Sequence, residues 1–198
     1  MLIKKLQIPI LIFTLIYLIL FLFVFLERAN YEFVMYVFVV IFFFVVILFT
    51  NEKVNYPNFV LWGLSLWGLL HMCGGGVLLN GEMRLYELML VNLSSEYSIF
   101  RYDQFVHIVG FFVATLVMFV ILKPILKKDL KNWAAVSIIV IMAGLGVGAL
   151  NELIEFLAVV LIPETGVGGF VNTSLDLVSD LIGAILAMVY IYIKKGNL

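Results

Sequence analysis

The chain has 198 residues, 65% of them hydrophobic and only 13% charged, and its mean hydropathy is +1.18. A soluble domain of this size cannot hide so much apolar surface, since an apolar share of roughly 45–50% is usual, and a formal net charge of -1 offers no field for nucleic acid. Cys73 is the single cysteine, which excludes an internal disulfide and an all-cysteine metal site.

Lys4 and Lys5 precede an apolar run over 6–26 that resembles a signal peptide. The run is too long for a signal core, and Glu27-Arg28 follows where small residues would mark cleavage, so it reads as an uncleaved anchor. A second, nearly featureless run covers 33–50. Pro57, suited to a helix start, introduces a third over 58–79. The connection 80–102 follows, and Met83 to Leu90 within it has the spacing of a short helix lying on the membrane interface, a reading preferred here to a lid over a site. Further runs cover 103–122, 133–160 and 172–193, with Pro124 helping to end the first of these. About 20 apolar residues cross roughly 30 Å of hydrocarbon. The expected fold is therefore an all-α membrane protein, a bundle of six transmembrane helices forming one integral domain over 1–198.

Lysine and arginine placement gives the orientation. With the N-terminus inside, the inner segments hold Lys4, Lys5, Lys53, Lys123, Lys127, Lys128, Lys131, Lys194 and Lys195, and the outer ones hold only Arg28, Arg84 and Arg101. Both termini are expected in the cytoplasm, with the chain in the cell (inner) membrane.

The first two spans carry no ionisable residue in their interiors, whereas the last four do. His71 lies in the third; Asp103 and His107 open the fourth; Asn151, Glu152 and Glu155 sit in the fifth; Asn172, Asp176 and Asp180 sit in the sixth. Charge at the bilayer centre costs about 2.5–3.5 kcal/mol per residue on insertion scales, so residues kept there face partners. A rise of 1.5 Å per residue puts all of these groups at overlapping depths in the outer half of the membrane. The i,i+3 and i,i+4 spacings aim each set from one helix face. An outward-opening polar pocket among the last four spans follows. Its carboxylates outnumber its bases, so protons, pairing or a bound cation must balance them. Carboxylates and imidazoles on facing helices are also the parts of bundle metal sites. Gly144-Leu145-Gly146-Val147-Gly148 lies inside a span and reads as a close-packing stripe, as do Gly183, Ala184 and Ala187. Gly74-Gly75-Gly76 is expected to loosen or end the third span.

Tyr102-Asp103-Gln104-Phe105-Val106-His107 resembles the Tyr-Asp-x-x-x-His element of the YjdF-like bacterial inner-membrane proteins, a family of unknown function. Ala149-Leu150-Asn151-Glu152-Leu153-Ile154-Glu155-Phe156 is similar to that family's Ala-Leu-x-Glu-x-Ile-Glu-aromatic element. Asp176-Leu177-Val178-Ser179-Asp180, followed by Gly183-Ala184, is similar to its closing Asp-x-x-x-Asp and Gly-Ala, and His71 with Gly74-Gly75 to its His-then-glycine stretch. The last elements also resemble, more distantly, VanZ-like membrane proteins. The resemblance implies a multi-span membrane protein and brings no reaction with it.

The expected function is a metal-dependent enzyme acting on a lipid or lipid-linked substrate. Asp103, His107, Glu152 and Glu155 are the catalytic candidates. His71, Asp103, His107, Glu152, Glu155, Asp176 and Asp180 are the candidate ligands for a divalent ion such as Zn, Mn, Fe or Mg. One alternative is a small ion- or proton-coupled transporter, expected as a homodimer. Another is a structural or assembly subunit of the membrane.

Overall fold

The computed structural model describes residues 3–94, 96–126 and 132–197. Six helices, each long and apolar enough to cross a membrane, follow one another as α1 (Ile8–Glu27), α2 (Tyr31–Val54), α3 (Asn58–Gly76), α4 (Tyr102–Leu122), α5 (Trp133–Leu161) and α6 (Phe170–Ile193). Their ends have local causes. The Asn30 side chain accepts the Phe33 N–H at 3.3 Å and starts α2. Asn55, at φ 59, closes that helix in the left-handed region. Asn132 caps α5 by accepting the Ala135 N–H at 3.1 Å. Pro124 lies in the short 3₁₀ turn Lys123–Ile125 that finishes α4. The break at Lys127-Lys128-Asp129 and the inner Lys131 lie outside the described residues.

Helix α4 is central, touching α3, α5 and most extensively α6. A Cβ on Gly183 would sit 2.4 Å from the Ile108 carbonyl oxygen and 2.9 Å from the Phe112 nitrogen, so α4 and α6 touch backbone to backbone. Their polar residues then fall level, with His107 beside Asp180. Helix α5 runs antiparallel to both and is let in by glycine: a Cβ on Gly144 would meet Thr115 at 2.0 Å, and one on Gly148 would meet Asp180 at 2.2 Å. The stripe read from the sequence thus packs helices, although a Cβ on Gly146 would meet nothing within 4 Å.

The two halves of the bundle differ. The half nearer the C-terminal end of α4 is filled by Val60, Val113, Leu116, Val117, Phe119, Val140, Met188 and Ile191. The other half, which holds the start of α4 and α6, carries the polar residues. Arg28 ties helix ends together on that side, its guanidinium donating to the Gly76 carbonyl at 2.7 Å. Helix α3 ends at Gly76 as expected, but its three glycines serve packing as well. Side chains there would collide with Tyr86, Phe33 and Phe21 in turn.

The interfacial helix expected near Met83 to Leu90 does not form. The connection instead makes two small antiparallel hairpins, β1 (Leu78–Leu79) with β2 (Met83–Arg84) and β3 (Met89–Ser94) with β4 (Ile99–Arg101), joined through a 3₁₀ turn at Leu85–Glu87. Asn80 and Gly81 both take positive φ (52° and 86°) and reverse the chain before a helix can start. Met83, Leu90, Val91 and Leu93 of this connection stay exposed, while Arg84 and Tyr86 turn inward and line a cavity in the bundle.

Candidate functional site

His107 is the hub of the buried cluster. It is 6% exposed, and Asp176 and Asp180 are fully buried. Its Nδ1 lies 2.8 Å from Asp180 Oδ1, and its Nε2 lies 3.8 Å from Asp103 Oδ1 one turn back. A histidine that donates one ring N–H to a carboxylate has its tautomer and ring angle fixed, which leaves the other nitrogen free to bind. Asp180 therefore orients His107 and turns its Nε2 toward the acids.

Two sets of donor atoms meet around that ring. Asp103, His107 and Asp176 form one, and His107, Glu152 and Glu155 form the other; within each, the atoms lie within 4.8 Å of one another. Ligands about 2.0–2.3 Å from an ion stand at such separations. Amides on the same helices complete the arrangement: Asn172 donates to Asp176 Oδ2 at 2.6 Å, and Asn151 donates to Glu155 Oε1 at 2.9 Å. Four buried carboxylate oxygens remain without a hydrogen-bond donor among the described residues: both of Glu152, Oδ1 of Asp176 and Oδ2 of Asp180. Leaving a buried acceptor unsatisfied costs about 1–3 kcal/mol, and more when it is charged. A proton or a cation would supply the partner such oxygens lack.

Above the cluster is a cavity of about 110 Å³. Asp103, Glu155 and Asn172 belong to its floor, Phe33, Tyr36 and His71 to its wall, and Arg84, Tyr86, Arg101 and Gly166 to Gly168 to its rim and roof. Glu32 holds the roof. Its Oε2 accepts from the Arg84 guanidinium at 3.1 Å and from the Gly166 N–H at 2.6 Å, so one buried oxygen fastens two connections to the start of α2. Arg84 also lies over the Phe33 ring, 5.8 Å from its centroid. Tyr86 reaches down to hydrogen-bond His71 Nδ1. Burial, and next to it the charge of Asp103, hold the Tyr86 hydroxyl well above its ordinary pKa, so it stays a phenol.

Of the residues expected at the site, Asp103, His107, Glu152, Glu155, Asp176 and Asp180 come together. His71 does not join either donor set. It lines the cavity wall, held by Tyr86 and stacked on Trp67 with 5.7 Å between ring centroids. Asp180 belongs to the cluster as the partner of His107 and stands outside both sets. Sequence reasoning missed Glu32, Tyr36, Tyr86 and the strip from Gly166 to Gly168. Glu32 is in the first turn of a helix, where an acid is ordinarily a solvated group facing the helix dipole, so nothing marked it as buried.

Fold and site together define a six-span membrane protein with a roofed carboxylate–histidine cluster near one face of the bundle. The chain belongs to the family described as "Predicted membrane protein (DUF2238)", whose model matches residues 9–197. This agrees with the YjdF-like resemblance. No curated protein and no solved structure matches the chain.

Proposed function

We propose that the protein is a membrane-embedded, metal-dependent enzyme acting on a lipid or lipid-linked substrate. The observation that carries this reading is the group of donor-less buried carboxylate oxygens around a histidine already oriented by Asp180. Asp103, His107, Glu152, Glu155 and Asp176 would hold a divalent ion, which supplies Lewis acidity and an activated water. The cavity above gives a substrate group room beside it. Direct metal analysis of protein purified without chelator is the test. Near-stoichiometric divalent metal is expected in the wild type, with most of it lost in Asp176→Asn. Wild-type protein free of metal even after incubation with Zn, Mn, Fe and Mg salts would overturn the reading.

The site-bearing face would be the external one, with both termini in the cytoplasm. Lys53, Lys123, Lys194 and Lys195 all flank the opposite ends of the helices, which supports that orientation. A reporter that works only in the cytoplasm should be active when fused after residue 198 and silent when inserted in the connection near Glu96. The reverse pattern would refute the assignment.

A carrier reading is weaker. A pathway needs polar groups through the whole thickness, and the half of the bundle beyond the cluster is closed by the apolar residues around Leu116 and Phe119.

A further inference from the structure

Charge pairing around the cavity leaves one group over. Glu32 is taken by Arg84 and the Gly166 N–H. Asp180 is paired through Oδ1 with His107. Asp103, Glu152, Glu155 and Asp176 are the acids that offer ligand atoms to an ion. Glu87, also on the rim, is exposed to water. Arg84 is committed to Glu32 and the Phe33 face. Arg101 is different. It lines the cavity, is half-buried, and its guanidinium makes no hydrogen bond or close ion pair among the described residues, its electrostatic neighbour being Asp103, one of the acids that offer ligand atoms. It stands just before α4, two residues from Asp103. Once a cation balances the acids, the unsatisfied group facing the cavity is this guanidinium.

We propose that the cavity binds a phosphoryl group, with Arg101 as its anion-binding arm and the carboxylate–histidine cluster holding the ion that takes its other oxygens. This rests on the metal-dependent reading and narrows its substrate class. A guanidinium presents a fork of donors matched to phosphate oxygens, whereas an ester carbonyl leaves such a fork mostly unused. The cavity, about 110 Å³, has room for a phosphoryl headgroup. Chains would remain in the bilayer, where Leu153, Phe156 and Leu157 of α5 and Phe170 and Val171 of α6 expose apolar surface beside the acids. The phosphoryl group can thus belong to a lipid headgroup or to a water-soluble phosphate.

The test uses the full chain in a phosphorus-free sugar detergent with added Mn²⁺. Separate arms receive inorganic phosphate, short-chain phosphatidate and the matching diacylglycerol, and binding is read as the rise in the unfolding midpoint across a titration. Phosphatidate is expected to protect and diacylglycerol is not. Arg101→Gln should weaken that binding about tenfold or more, the scale of one charge-assisted hydrogen bond, while keeping wild-type metal content. Arg101→Lys decides the comparison if Arg101→Gln fails to fold. Protection by inorganic phosphate at the same concentrations, without added protection by phosphatidate, supports the phosphoryl site and assigns it to a water-soluble phosphate. Metal bound without protection in any phosphate arm, or protection indifferent to Arg101, overturns the inference and leaves the metal reading standing. Arg101-dependent protection in protein that binds no metal supports the anion site and overturns the metal reading instead. Neither metal nor protection overturns both.

Discussion

Gly183→Ala is expected to lower the stability of the bundle by about 1–3 kcal/mol, the usual cost of forcing an extra methyl group into a packed interface. The added carbon would meet backbone atoms of Ile108 and Phe112 at 2.4 and 2.9 Å. No side-chain rotation relieves that clash, so α4 and α6 must separate. Separation also pulls Asp180 from His107, which lie one turn along the same interface. Gly146→Ala is the control. It enters open space, and alanine favours a helix over glycine by about 1 kcal/mol, so this variant should match or exceed the wild type. Unfolding of the three proteins in one detergent checks the order. A Gly183→Ala midpoint equal to that of the wild type would show that the two helices do not depend on this contact.

His107→Ala should remove metal binding more completely than any other single change, because both donor sets include this ring. Replacing a group that merely orients a ligand typically costs 10–100-fold in affinity, so Asp180→Asn is expected to fall in a range of roughly that size. His107→Ala should exceed about 100-fold on the same scale. It also strips Asp180 of its hydrogen-bond partner, a loss of about 1–3 kcal/mol or more for a buried charged acceptor. Metal titration followed by unfolding of the two variants separates these effects. Equal metal affinity in His107→Ala and the wild type would place the ion elsewhere.

The helices were legible because twenty-residue apolar runs have few other uses, and the residues around Pro57 sit where the structure turns; Asn51-Glu52-Lys53, read as a break, instead stays helical in the last turn of α2, which closes at Asn55. The cluster was legible for a different reason. Retaining Asp176, Asp180, Glu152 and Glu155 inside spans is costly, and their i,i+3 and i,i+4 spacings leave them on one face of each helix. Pairing was not legible. Nothing in the spacing distinguishes Asp180, which hydrogen-bonds the His107 ring, from Asp176, which joins a set of candidate ligand atoms. That difference arises from how α4 settles on α6 at Gly183. The roof was hidden by the same kind of distance. Glu32 and Gly166 are 134 residues apart, and neither is unusual among its immediate neighbours. Met83 to Leu90 misled because its spacing fits a helix as well as a pair of turns, and the reversal at Asn80-Gly81 decided between them.

The Glu32 fastening sets an order of events during biogenesis. A ribosome delivers α1 and α2 first, so this carboxylate reaches the bilayer boundary with neither of its later partners yet synthesised. Arg84 arrives after the third span, and the Gly166 amide only after the fifth. The Glu32 fastening is therefore complete only once the connection between α5 and α6 has been made, and a chain halted before that point would lack the Gly166 donor.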